Sequence, residues 1–228
     1  MNLARAHFEQ QNAKETAEKM AVFGEMQNAT TYELKLAQLA NDKHRLKQLQ
    51  GLDLKNGLKA QLLDDYTAYC EGVLSAGVAV QDEVLMTVLV WCIDVRNYEL
   101  ALRITKHALK HQLIMPDNFS RSVACVVVEE ICDIELKRQK QDESVNINVL
   151  HDLHDILSDD SYSQTARDMP DEVRAKLYLA IGRHYLAAAK SSGQGADLAV
   201  DALSMALALN DKCGGKSDLA QAKKLAAA

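Results

Sequence analysis

The chain has 228 residues, with 26 Lys+Arg against 32 Asp+Glu for a formal net charge of -6, 48% hydrophobic residues, 10 Gly and only 2 Pro. This balance is that of an ordinary folded protein and excludes extended disorder and fibrous repeats. The longest apolar run, Val84 to Ile93, is broken by Thr87 and falls far short of the ~20 residues of a membrane helix, and no apolar segment follows a basic start, so a soluble, unexported protein with no membrane partner is expected.

Few prolines and glycines in a chain dense in Ala, Leu, Lys, Glu and Gln predict an all-α fold. Residues 1–30 are polar and lack a wide apolar face, which predicts a flexible, frayed or conditionally helical arm. A helical core over 31–140 follows. Its first helix starts at the Thr30-Thr31 cap signal, with Tyr32, Leu36, Leu39 and Leu46 recurring at a period near 3.5 up to Gly51. The second runs from Leu54 through Leu58, Leu62, Tyr66, Tyr69 and Val73. Gln81-Asp82-Glu83 opens a buried helix with Val84, Val88, Trp91 and Val95 as its stripe, and Tyr98 to Leu113 forms the next, ended by Met115-Pro116-Asp117. Helices joined by short turns form antiparallel pairs. Val123 to Val128 is β-branched like a strand, yet Val127, Ile131, Ile134 and Arg138 keep helical spacing, and helix is predicted.

Residues 141–168 are an acidic helix, built on Val149, Leu150, Leu153, Ile156 and Leu157, with a linker. Pro170 restarts the chain as helix. In 169–228, Tyr178, Ile181, Gly182 and Tyr185, then Ala199, Leu203 and Ala206, fall at the offsets of the two helices of a tetratricopeptide repeat. A TPR-like helical hairpin is expected there, beside the plainer reading of a helix pair with small contact residues.

Chemical motifs are scarce. Cys70, Cys92, Cys125, Cys132 and Cys213 form no CxxC pair and read as buried small hydrophobes. His151 and His154 are three apart but have no further ligand at usable spacing. Gly214-Gly215-Lys216-Ser217 resembles the end of a phosphate loop, but Asn210 replaces its first glycine and a helix precedes it, so a helix-terminating turn is expected. No cofactor is implied. Carboxylates cluster at Asp64-Asp65, at Glu129, Glu130 and Asp133, and at Asp159-Asp160. Glu129, Glu130 and Asp133 are the candidates for a Mg²⁺-dependent nuclease, which needs convergent carboxylates to activate water; a solvated helix face is the simpler reading.

The most informative charges are basic. Arg103, Lys106, His107, Lys110 and His111 recur at i, i+3, i+4, i+7 and i+8, on the side of a helix opposite Ala101, Ile104 and Ala108. Lys43, Arg45, Lys47, Lys55 and Lys59 span the turn between the first two core helices. Both sets suit the phosphates of a duplex; both also suit a solvated face with cations near a helix C-terminus.

Gln81-Asp82-Glu83-Val84-Leu85-Met86-Thr87-Val88 leading to Trp91 and Asp94, then Ala101-Leu102, Ala108-Leu109-Lys110 and Met115-Pro116, closely resembles the central block of the small terminase subunits of P2-like tailed bacteriophages. Asp168-Met169-Pro170-Asp171-Glu172-Val173-Arg174-Ala175-Lys176-Leu177 looks like a second signature of that family, and Tyr32-Glu33 with Leu36 like a third. The resemblance implies a viral DNA-packaging protein of the bacterial host's cytoplasm. Such a subunit forms a homo-oligomer, a ring, that recognises the packaging site on concatemeric double-stranded viral DNA and delivers it to the large terminase subunit. The historical description as an endonuclease subunit travels with the family, while cutting and ATP hydrolysis are expected in the large subunit; the residues alone also leave open a helical protein-interaction adaptor that binds no DNA. If a basic C-terminal tail carries non-specific DNA affinity in the family, the ending Lys223-Lys224-Leu225-Ala226-Ala227-Ala228 departs from that pattern, and the resemblance then implies use of the folded surface or the N-terminal arm, with Lys43, Arg45, Lys47, Lys55, Lys59, Arg103, Lys106 and Lys110 as candidates.

Residues 141–172 hold nine acids and one base, a local charge of -8, so the rest of the chain is +2. Net acidity therefore marks one segment and does not oppose DNA binding elsewhere.

Overall fold

The computed structural model describes residues 3–23, 30–116 and 121–227, and within them the chain is all-α: ten helices and no strand among the described residues. The chain divides into two units, Met1–Val123 and Ala124–Ala228. The division falls within the predicted 31–140 core, at the start of the helix predicted over Val123 to Arg138.

In the first unit, α1 (Leu3–Phe23), α2 (Thr30–Gln48), α3 (Leu52–Ala76), α4 (Glu83–Asp94) and α5 (Tyr98–His111) surround an apolar centre. The centre is α4, buried almost all round from Val84 to Ile93, as a helix that is apolar on every side but for Thr87 must be. Its N-terminus is capped by Asp82, which accepts from the Leu85 amide at 2.9 Å and from the buried Tyr69 hydroxyl at 2.6 Å. Trp91 meets Tyr66 of α3 edge-on, ring centroids 5.7 Å apart. After α5, the Gln81 side chain bonds both the amide and the carbonyl of Ile114, each at 2.9 Å, clasping the two ends of the α4–α5 pair.

The expected loose arm is instead α1, lying along α3. Its buried face is Ala13, Thr16 and Ala17, too small to register as an apolar stripe, and Gly72 of α3 lets the helix in. A Cβ at Gly72 would lie 2.3 Å from the Gln10 carbonyl oxygen and 2.7 Å from the Ala13 Cβ. Close backbone approach thus replaces large side chains as the source of contact area.

The second unit holds α6 (Val123–Lys140), α7 (Ile147–Ser158), α8 (Asp171–Ser192), α9 (Ala196–Leu209) and α10 (Lys216–Ala226). Val123 to Val128 are helical despite their β-branching. Asn146 caps α7 through the Val149 amide. The acidic linker is organised by Arg167, which donates to the Leu157 carbonyl at 2.9 Å and to Asp160 at 3.1 Å. Helices α8 and α9 pack tightly, a Cβ at Gly182 falling 2.6 Å from the Leu203 Cγ, and α10 lies against both. Their connection is only Gly193 to Gly195, a turn made this short by two glycines at positive φ (73° and 89°).

Candidate nucleic-acid interface

All eight candidate cations lie in the first unit. Helical arithmetic places Arg103, Lys106 and Lys110 on the outer face of α5, and all three are exposed while Ala101, Ile104 and Ala108 are buried. His107 departs from that stripe. It lies about 60° from Ile104 around the helix, close enough to turn inward, and is 8% exposed. Burial, then the neighbouring His111 and Lys110, push its pKa down to about 4, so a neutral imidazole fills the site. The His111 ring packs 4.6 Å away, and burial followed by Lys110 lowers its pKa as well. Neither histidine adds charge to the stripe at neutral pH.

The structure sorts the eight cations by partner. Lys43 reaches from α2 to Glu83 at 2.9 Å, Lys59 from α3 to Asp94 at 2.5 Å, and Arg45 pairs with Asp42 at 2.8 Å. Arg103 grips Glu71 of α3 through both terminal nitrogens, each 2.5 Å from one carboxylate oxygen; these bonds foremost raise its pKa. Among the described residues, Lys47, Lys55, Lys106 and Lys110 have no ion-pair partner. Glu71, Glu83 and Asp94 escaped the sequence reading because each lies more than 30 residues from its cation.

Buried polar contacts fix α2 beneath these cations. Lys35, a core residue, donates to the Asp65 carbonyl at 2.6 Å, pairs with Glu9 of α1 and lies 5.2 Å from the Tyr66 ring centre. The buried Asp42 accepts from the Tyr66 hydroxyl at 2.9 Å. Each buried charge thus has the partners that desolvation demands.

The nuclease candidates lie on α6. Lys176 of α8 reaches between two of them, 3.1 Å from Glu129 and 2.9 Å from Asp133. Burial pulls the lysine pKa down, but its bonds to Asp133 and Glu129 outweigh this and the net shift is upward. Among the described residues no three His, Cys, Asp or Glu side chains converge on a point fit for a metal ion. His151 and His154 face α8: the His151 Nε2 is 2.9 Å from the Tyr185 hydroxyl, and His154 meets the Tyr178 ring edge-on. Gly214 and Gly215 form the turn between α9 and α10, matching the reading of Gly214-Gly215-Lys216-Ser217 as a turn. No described helix is long and apolar enough to cross a membrane.

Comparison with known proteins bears on the same region. A family model described as phage small terminase subunit matches residues 36–172. The protein described as "Terminase, endonuclease subunit" of Escherichia phage P2 is 34% identical over 179 residues, 78% of this chain and 69% of the phage P2 protein. No solved structure matches the chain. The family match runs from within α2 to the first turn of α8 and takes in both basic sets and the α6 carboxylates, and with the extent of the phage P2 likeness it establishes that this chain belongs to the phage small terminase subunit family.

Proposed function

We propose that the chain is the DNA-recognising component of a phage packaging machine. Family membership supports a role in phage DNA packaging. The finer reading is that a homo-oligomer, a ring in the host cytoplasm, binds the packaging site on double-stranded viral DNA and recruits or stimulates the large terminase subunit. The observation that carries it is the outer face of α5, where Lys106 and Lys110 stand exposed with no ion-pair partner among the described residues. Lys47 and Lys55 are the matching unpaired cations at the α2–α3 turn. Lys43, Arg45 and Lys59 belong to this reading only as cations already committed to carboxylates. Repetition around an oligomer multiplies a weak patch, since linked sites raise avidity without new contacts.

Salt-titrated binding to duplex DNA carrying the packaging site tests the assignment. Each phosphate contact contributes about -0.9 to the slope of log K against log salt. The double variant Lys106→Glu/Lys110→Glu is expected to weaken binding and flatten that slope, and Lys47→Glu/Lys55→Glu to do so independently. Unchanged affinity and slope in both would remove DNA from this surface.

The name of the phage P2 protein favours a second reading, metal-dependent cutting by this chain through Glu129, Glu130 and Asp133. The position of Lys176 supports treating Glu129 and Asp133 as half of an ion pair instead. Purified chain incubated with Mg²⁺ and cognate DNA, without the large subunit, separates the two: nicking abolished by Glu129→Gln/Asp133→Asn would establish the enzyme.

A further inference from the structure

We propose that Glu71 is a built-in substitute for a phosphate: it occupies the Arg103 fork and so sets how strongly the α5 stripe holds polyanions. The inference rests on the reading of α5 as a DNA-contacting face.

Arg103, Lys106 and Lys110 fall at i, i+3 and i+7 and share one exposed face, yet only the first is engaged. Its engagement has the geometry by which arginine binds phosphate, two parallel N–H···O bonds from a planar fork, with Glu71 supplying both oxygens at 2.5 Å. The pair lies near the surface, the arginine side chain 47% exposed and the glutamate 28%. Both groups remain partly in water, where solvent and salt screen the pair, so a polyanion can reach the same fork and compete for it. Lys59 and Asp94 differ: they are 15% and 25% exposed and far less accessible to such exchange. Arg103 is thus a third cation held in reserve, and the carboxylate keeps non-specific affinity low.

The test is a double-mutant cycle on the full chain with a random-sequence duplex as probe, thermal unfolding verifying that each variant is folded. Glu71→Gln keeps the side-chain shape and frees the guanidinium. It is expected to raise affinity on the order of fivefold near 0.1 M salt and to steepen the salt slope by about 0.9, the equivalent of one added contact. Arg103→Gln alone is expected to change little, and in the Glu71→Gln background to abolish the gain. Glu33→Gln, the same charge change at an exposed α2 position, controls for net charge and should leave the slope unchanged. If Lys106→Glu/Lys110→Glu weakens binding while Glu71→Gln does not strengthen it, or the gain survives Arg103→Gln, Glu71 is no phosphate substitute. If Lys106→Glu/Lys110→Glu also has no effect, the DNA-face reading fails first and takes this inference with it.

Discussion

Gly72 of α3 and Ala13 of α1 are packed so closely that a methyl group on the glycine would sit 2.7 Å from the methyl group of the alanine. The same added carbon would meet the Gln10 carbonyl oxygen at 2.3 Å, a backbone atom that cannot rotate away. Ala in place of a mid-helix Gly gains about 1 kcal/mol of helix propensity, whereas overpacking costs about 1–3 kcal/mol. With a backbone oxygen as the obstacle, Gly72→Ala is expected to destabilise the α1–α3 contact. Amide hydrogen exchange should show residues 3–23 losing protection first, while α4 keeps its own.

The Tyr69–Asp82 bond is expected to hold the N-terminus of α4 in place. Burial pushes the Asp82 carboxyl pKa up, and the Tyr69 hydroxyl and the Leu85 and Val84 amides oppose that rise. Tyr69→Phe removes one donor from a buried acceptor, a loss of about 1–3 kcal/mol. Asp82→Ala additionally removes the cap, typically about 1 kcal/mol, and should be the more damaging variant. Denaturant unfolding of both would check the ranking.

Acid should weaken the first unit through His107. Its pKa in the folded chain is about 4, below the ordinary histidine value, so between that ordinary value and 4 the unfolded chain takes up a proton that the folded chain refuses. Stability is therefore complete above about pH 6.5 and is lost as pH falls toward 4, by at most about 1.4 kcal/mol per pH unit from this group. His111, shifted the same way, adds to the effect. His107→Gln should flatten unfolding free energy against pH across that window, and an NMR titration should place the His107 midpoint well below that of an exposed histidine.

Paired and unpaired lysines should separate stability from DNA affinity. Lys59→Gln leaves the partly buried Asp94 without its partner and is expected to cost about 1–3 kcal/mol with the DNA salt slope intact. Lys55→Gln, with no ion pair to lose, should leave thermal unfolding nearly unchanged and reduce the slope. Binding and melting curves on the two variants test the contrast directly.

Elements with large apolar residues at helical spacing were legible in the sequence. Leu62, Tyr66, Tyr69 and Val73 on α3, the Val84 to Ile93 run of α4 and the Asp82 and Pro170 starts all sit where the spacing predicts. Helix α1 was not legible, because its contact face is alanine and threonine against a glycine 59 residues beyond Ala13, and periodicity weighs residues by size. Lys35 and Asp42 were missed for a related reason: a charged residue on the inner face of α2 reads as a break in the stripe until its partners on α1 and α3 are in place. In the candidate interface, the face of Lys106 and Lys110 followed from spacing. Which cations were already paired did not, since that depends on carboxylates delivered by tertiary packing. His107 lay at the edge of the helical sector, where the decision between solvent and core rests on whether the ring stays neutral.

The Gln81 clasp on Ile114 has a kinetic consequence. It joins two points 33 residues apart and encloses both α4 and α5, a local closure that costs less entropy than one between more distant positions, by about 0.6 kcal/mol for each halving of the loop. Because α4 is the buried centre of the first unit, this segment is expected to keep its protection until the unit unfolds as a whole. Arg103, Lys106 and Lys110 all lie inside it, so on the proposed reading of α5 as a DNA-contacting face, a pull on DNA would load the clasp, the α4–α5 packing and, through the Arg103–Glu71 pair, α3.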